Sequence, residues 1–234
     1  MTSFDTVGDI VIFSEEINKK KAEEVLKLKN INTVGFKTKF HSGTYRTKKV
    51  KILVGERKKE TIHKENNVEV KVNVENCYFS PRLSNERLRI AKEVKKDEKV
   101  LVIGSGVGIY PIVISKNSKA KEICGIEINP QAHKYAEENV KLNKIKNIKF
   151  YEGDVKKVLP KIRKKFDRII MPLPKNAEKF LDVVAKKLNK KGIIHFYSFE
   201  PEEDIKLDNF KILKTVKCGS FGPGKFRICV DIKN

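Results

Sequence analysis

Cysteine and histidine are both scarce, with four of each in 234 residues. Cys77, Cys124, Cys218 and Cys229 lie far apart and form no Cys-x-x-Cys pair, so neither a zinc site nor a disulfide framework is expected, and no metal ligand is assigned. The four thiols read as small buried hydrophobes in a reducing compartment. No apolar run is long enough to cross a bilayer, and the N-terminus lacks a signal-peptide pattern, so a soluble cytoplasmic protein is expected. Internal repeats and low-complexity linkers are also missing, which implies parts that pack closely. Acidic residues are in short supply too: 30 Asp+Glu face 51 Lys+Arg, a formal net charge of +21 spread along the chain. Lysine-rich surfaces occur in proteins from hot environments, but usually with matching glutamate. An imbalance of this size favours a polyanion, and nucleic acid above others.

What is present is organised around Val100-Leu101-Val102-Ile103-Gly104-Ser105-Gly106-Val107-Gly108. Four consecutive apolar residues read as a strand buried on both faces, the habit of a parallel sheet. Alternating glycines follow, where the chain turns tightly and a ligand can approach the backbone. A helix starting near Val107 would aim its free N–H groups at the mouth of that turn. About twenty residues on, Ile123-Cys124-Gly125-Ile126-Glu127 is a second buried strand ending in a carboxylate, as ribose recognition requires. Phe150-Tyr151-Glu152-Gly153-Asp154 repeats the pattern at a third strand end. Ile109 occupies the place of a dinucleotide fold's third glycine, so the series resembles S-adenosylmethionine-dependent methyltransferases of the Rossmann-like class more than nicotinamide enzymes. Gly104, Gly106 and Gly108 would then admit the methionine moiety, Glu127 would accept from the ribose hydroxyls and Asp154 from the adenine amino group. Asp154 has a second reading, as the cap of a helix beginning near Val155.

The expected fold is α/β: a Rossmann-like methyltransferase sheet over residues 76–234, preceded by a small α+β domain over 1–75. In the first part, 7–13 reads as a strand, 15–28 as an amphipathic helix, 33–40 and 50–54 as strands. Residues 61–79 read as a hairpin turning at Asn66-Asn67, with Val68, Val70, Val72 and Val74 on one face. Pro81 opens a helix running to about Lys95 that buries Leu83, Ile90, Ala91 and Val94. Strands at 100–104, 122–127, 148–152, 167–172 and 192–199 then alternate with helices at 108–117, 130–143, 155–165 and 176–189. Two closing strands, 211–217 and 225–232, form a hairpin that fits the antiparallel edge Rossmann-like methyltransferases add.

Nine short stretches, in order and across almost the whole chain, resemble one family, the archaeal and eukaryotic tRNA (guanine37-N1)-methyltransferases. They are Val7-Gly8-Asp9-Ile10, Tyr45-Arg46-Thr47-Lys48, Thr61-Ile62-His63-Lys64-Glu65-Asn66, Tyr78-Phe79-Ser80-Pro81-Arg82-Leu83, Glu86-Arg87, Ile128-Asn129-Pro130, Glu138-Asn139, Asp167-Arg168-Ile169-Ile170-Met171 and Gly222-Pro223-Gly224. The resemblance implies S-adenosylmethionine as cofactor and the anticodon stem-loop of tRNA as substrate, with no protein partner and a monomeric chain. Guanine N1 carries a proton at neutral pH, so attack on a sulfonium methyl needs a base for that proton and a cation for the charge growing toward O6. By the match, Glu86 is the general base and Arg46 the stabilising cation. Tyr78, Arg82 and Pro174 are assigned to the substrate pocket. Arg82 and Arg87 either bind phosphates or pair with Glu86; the sequence does not choose.

Three departures from the family pattern stand out. The acidic residue usual before the glycine turn is absent. Pro172-Leu173-Pro174 stands where the family carries Asn-x-Pro, so an amide side chain is replaced by a proline ring. The N-terminal domain that grips the tRNA elbow in many members is also missing, as expected of a compact version or a truncated piece. Related readings are aminocarboxypropyl transfer from the same cofactor, methylation of a tricyclic guanosine precursor at the same nucleotide, and a tRNA-binding relative with weak catalysis.

Overall fold

The computed structural model describes residues 3–173, 177–199, 205, 207, 209–222 and 224–233. The chain opens with β1 (Phe4–Val7), β2 (Ile10–Phe13), α1 (Lys19–Leu26), β3 (Thr33–Ser42) and β4 (Thr47–Gly55), whose strands form one sheet in sequence order. The strand expected over 7–13 is thus a tight hairpin. Gly8 turns the chain at φ +55°, and a Cβ there would meet Thr61 Oγ1 at 2.1 Å. All of β2 is buried, because this sheet is covered on both sides. Val11 and Phe13 pack with Ala22 of α1, while Ile10 and Ile12 join the main core.

β5 (Glu60–Glu65) and β6 (Val68–Asn73) form the expected hairpin, with Asn66 and Asn67 both at positive φ. Val68, Val70, Val72 and Val74 are buried in the main core. The backbone on the free edge of β6 is satisfied by two asparagine side chains. Asn139 bonds both the N–H and the carbonyl of Lys71, and Asn143 does the same for Glu69. Asn139 Nδ2 also reaches the Val107 carbonyl, tying this edge to the glycine turn.

After a 3₁₀ turn at Pro81–Leu83 come α2 (Ser84–Glu93), β7 (Lys99–Ile103), α3 (Ile109–Asn117), β8 (Glu122–Glu127), α4 (Pro130–Leu142), β9 (Ile148–Glu152), α5 (Val155–Val158), β10 (Phe166–Met171), α6 (Leu181–Ala185), β11 (Leu188–Ser198), β12 (Lys211–Gly222) and β13 (Lys225–Lys233). Seven strands make one sheet in the order β12-β13-β11-β10-β7-β8-β9. β11, β10, β7, β8 and β9 run parallel; β13 is antiparallel to both of its neighbours. The order reverses at β7, between β8 and β10, which is where open α/β sheets bind ligands. This is the α/β methyltransferase-type sheet expected.

Three helices are shorter than their patterns suggested, the first being α1, which covers only Lys19–Leu26 of the expected 15–28. α5 stops at Val158, where Pro160 sits within a 3₁₀ turn over Leu159–Lys161. The stretch 176–189 is a 3₁₀ turn at Ala177–Phe180 followed by α6, and Leu188 already pairs with Phe166 as a strand. Cys77, Cys124 and Cys229 are buried and Cys218 is half-buried; all four are free thiols. Among the described residues no helix is long and apolar enough to cross a membrane.

Candidate functional site

The glycine turn is built around positive φ at all three glycines, Gly104 at +68°, Gly106 at +56° and Gly108 at +84°. Two of them also lack space for a side chain: a Cβ at Gly104 would meet Leu173 Cδ2 at 2.5 Å, and one at Gly108 would meet Phe150 Cζ at 2.9 Å. At Gly106 the nearest atom to a Cβ would be the Tyr78 carbonyl oxygen at 3.7 Å, so here the missing side chain leaves room rather than avoiding a clash. Gly108 is the N-cap of α3, which places that helix's first turn beside the opening.

Glu127 closes β8 and is buried. Its Oε2 accepts from the Gly106 N–H at 2.7 Å and its Oε1 from the Asn129 N–H at 2.8 Å. Burial pushes its carboxyl above the usual glutamate value, against the pull of those two amides. Asn129 caps α4, accepting from the N–H groups of Gln131 and Ala132, and its amide donates to the Asn76 carbonyl just before Tyr78. Ser105 Oγ is buried without a hydrogen-bond partner, as is Nδ1 of His133 one turn into α4. A turn of open backbone, a buried carboxylate and a buried unpaired hydroxyl fit a polar ligand such as a nucleoside. Asp154 takes its structural role: Oδ1 accepts from the Lys156 N–H at 2.7 Å and caps α5.

Across the glycine turn stands Tyr78. The Arg46 guanidinium lies over its ring at 4.3 Å, and Arg227 Nη2 donates to its hydroxyl at 3.3 Å. Arg46 itself has φ +52° at the end of the β3–β4 turn. Two of the residues assigned to substrate chemistry, Arg46 and Tyr78, therefore meet, and the Tyr78 backbone faces the glycine turn.

Glu86 lies in the first turn of α2 and is 5 % exposed. Arg89, one turn along, grips both its oxygens at 2.7 Å, and the Tyr197 hydroxyl donates to Oε1. Neither Arg82 nor Arg87 pairs with it. Arg82 turns to Asp5 at 2.6 Å, which anchors the 3₁₀ turn to β1. Arg87 is buried and forks onto Glu65, with Nε at 2.6 Å from Oε1, and also donates to the Ser80 carbonyl. His63 lies against the same Glu65 and accepts from the Gly8 N–H. Four of the nine family-like stretches thus meet as scaffold beneath the site. Arg89 was legible as an i, i+3 partner of Glu86; Tyr197 and Arg227 are brought in by strands far along the chain, and no local signal marked them. Pro174 lies outside the described residues.

A second buried network lies behind Glu86. Arg168 forks onto Glu98, meets His195 Nε2 at 2.6 Å and donates to the Glu93 carbonyl, while His195 Nδ1 bonds Asp231. His195, Cys229 and Asp231 bring three ligand-type atoms within 4.8 Å of one another. Both histidine nitrogens are already engaged, however, so the group reads as a clamp across β10, β11 and β13 rather than as a metal centre.

Comparison with known proteins follows the same lines. Residues 61–219 match the family described as the TRM5/TYW2 methyltransferase domain. The chain is 41 % identical over 210 residues to the tRNA (guanine(37)-N(1))-methyltransferase Trm5b of Pyrococcus abyssi, covering 87 % of this chain but only 62 % of that relative. It is 34 % identical to the tRNA 4-demethylwyosine(37)-methyltransferase Taw21 of Saccharolobus solfataricus, covering 98 % of this chain and 92 % of that relative. The solved complex of aTrm5 with tRNALeu superposes with a TM-score of 0.88 at 32 % identity, covering 99 % of this chain and 71 % of that one. With this sheet order, this glycine turn and these matches, the chain belongs to the TRM5/TYW2 methyltransferase domain family.

Proposed function

We propose that the protein transfers the methyl group of S-adenosylmethionine to N1 of the guanosine at position 37 of tRNA. The observation that carries this reading is Tyr78: its ring is stacked by Arg46 while its backbone faces Gly106, so a base beside Tyr78 would lie next to the glycine turn. Gly104, Gly106, Gly108 and Glu127 would hold the cofactor, with Asp154 contributing through the carboxylate oxygen that does not cap α5. When bound, the cofactor supplies an electrophilic sulfonium methyl group.

The remaining work belongs to side chains of this chain. Glu86 takes the N1 proton, its carboxylate held in one orientation by the Arg89 fork and Tyr197. Arg46 stabilises the negative charge that develops toward O6. On this reading the part up to residue 75 contributes Arg46, and the part from residue 76 contributes the base and the cofactor turn. The net charge of +21 supports docking on an anticodon stem-loop through phosphates.

A second reading, methylation of the tricyclic 4-demethylwyosine at the same position, is favoured by one observation. Pro172 offers no amide where Asn-x-Pro members carry one, and the relative matched over 92 % of its length acts, by its name, on that nucleotide. The deciding experiment incubates the protein with methyl-labelled cofactor and tRNAs bearing guanosine, adenosine or 4-demethylwyosine at position 37, then identifies the labelled nucleoside. Label only on N1-methylguanosine supports the first reading; label only on the tricycle supports the second; label on neither sinks both.

A further inference from the structure

Three buried or half-buried arginines in this protein use one edge of the guanidinium, the Nε–Nη2 fork, in the same way. Arg87 closes it on both oxygens of Glu65, Arg89 on Glu86 and Arg168 on Glu98. Arg227 on β13 breaks the pattern. Among the described residues its Nη2 donates to the Tyr78 hydroxyl, at 3.3 Å, and its Nε is buried with no hydrogen-bond partner. One face of the guanidinium is covered by Phe199 at 5.1 Å, so the group is held in place rather than swinging in solvent. Leaving a buried guanidinium N–H unpaired costs free energy, and an acceptor that arrives at the fork would recover it.

The position of the fork narrows the choice of acceptor. Cys218, whose thiol burial pushes up to about 12, feels the charges of Glu86, Arg227 and Arg89 together. Arg227 is tied to Tyr78 by the bond to its hydroxyl, and its carbonyl accepts from the Cys218 thiol, so the fork lies beside the residue at which the proposed function places the nucleotide. The other three forks are each matched by a pair of anionic oxygens, and on RNA that geometry belongs to the two non-bridging oxygens of a phosphate. Arg46 already covers the Tyr78 ring, where the base itself is placed.

We propose that Arg227 is a phosphate ligand for the RNA backbone next to the nucleotide held at Tyr78. The proposal rests on the reading that tRNA is the substrate. It is tested by measuring tRNA affinity of the full chain over a range of salt, for wild type, Arg227→Gln and Arg227→Lys. Arg227→Gln should weaken binding by about tenfold or more and make the slope of log affinity against log salt shallower by about one. Arg227→Lys, which keeps the charge but not the fork, should fall between, and affinity for S-adenosylmethionine should stay within about twofold of wild type in both.

A second arm uses tRNAs with a neutral methylphosphonate on either side of nucleotide 37, or 7-deazaguanosine at it. One methylphosphonate should weaken wild type but not Arg227→Gln, whereas the 7-deaza base should leave the difference between the two proteins intact. If the 7-deaza base erases that difference, the acceptor is the base edge and the proposal is overturned. An unchanged salt slope in Arg227→Gln, with wild type still methylating tRNA, overturns this inference alone. Failure of wild type to bind or methylate any tRNA removes it together with the proposed function.

Discussion

Tyr197 donates its hydroxyl hydrogen to Glu86 across 111 residues of sequence, from the end of β11 to the first turn of α2. Arg89 holds the same carboxylate from the helix side, and Tyr110 stands behind Tyr197 with its hydroxyl at 3.4 Å. A carboxylate fixed from two directions points one way, which a base must do to meet a proton on a planar ring.

Replacing Glu86 with Gln should therefore lower the rate of methyl transfer by about 10²–10⁴-fold, with tRNA and cofactor affinities little changed. Tyr197→Phe should cost less, about tenfold, the value of one hydrogen bond to a charged group. Single-turnover kinetics at saturating tRNA and cofactor check both; a wild-type rate in Tyr197→Phe would show that this hydroxyl does not orient the carboxylate.

Glu127 should behave differently. Glu127→Ala removes an acceptor from the cofactor turn and frees the amides of Gly106 and Asn129, so S-adenosylmethionine affinity should fall by about tenfold or more. Because burial raises its carboxyl above the ordinary glutamate value of 4.5, wild-type affinity should decline on acidification before an exposed glutamate would titrate. Calorimetric titration at several pH values, for wild type and Glu127→Ala, measures both effects; the pH-dependent part should vanish in the variant.

The Glu65–Arg87 fork is buried on both sides, with side-chain exposures of 4 % and 2 %. Burial works against the Glu65 charge, but the bonds from Arg87 and His63 outweigh it and hold its carboxyl below the usual 4.5. The folded value is depressed, so the contribution is fully present above pH 4.5 and is lost as pH falls through the folded value. Glu65→Gln should destabilise the chain by about 3–5 kcal/mol near neutrality, because it strands a buried guanidinium. Denaturant unfolding at pH 7 and pH 3 should show the penalty shrinking at the lower pH.

Lys48, two residues after Arg46, is buried, and its amine is lowered to about 8 by burial first and by the nearby charge of Lys37 second. With the folded value depressed, stability falls as pH drops from the unfolded value of 10.5 through about 8. Lys48→Met should accordingly stabilise the fold at pH 7, by about 1–3 kcal/mol, and by progressively less toward pH 10. Unfolding curves across that range test the sign directly. A loss of activity without loss of stability would instead assign the amine a part beside Arg46.

The parallel strands were legible because a strand covered on both faces must be apolar throughout, as Val100–Ile103 and Ile123–Ile126 are. The hairpin at Asn66-Asn67 was legible because its second arm alternates cleanly and its turn needs two residues that tolerate positive φ. Segments 155–165 and 176–189 were less so, since apolar spacing cannot show that Pro160 ends one helix or that Leu188 is taken into a strand. The glycine turn and Glu127, proposed to hold the cofactor, are local in sequence, a turn and the next strand's end, and their joining through the Gly106 N–H follows from that nearness. The residues proposed to serve the substrate come from the turn before β4, the segment before α2, α2 itself, β11 and β13. Only topology brings Arg46 to Tyr78, Tyr197 to Glu86 and Arg227 to Tyr78, and residue spacing carries no trace of that.

β13 is wedged between β11 and β12, and among the described residues it is β12's sole partner in the sheet. During synthesis β12 leaves the ribosome first and has nothing to hydrogen-bond until β13 follows it out. The edge of the nascent sheet at β11 stays open over the same interval, an invitation to wrong pairing that the many lysines of β12 would discourage. Asp231, which completes the His195 clamp, and Arg227 both arrive with that late strand. Closure of the sheet and delivery of Arg227 to Tyr78 thus depend on the same late strand.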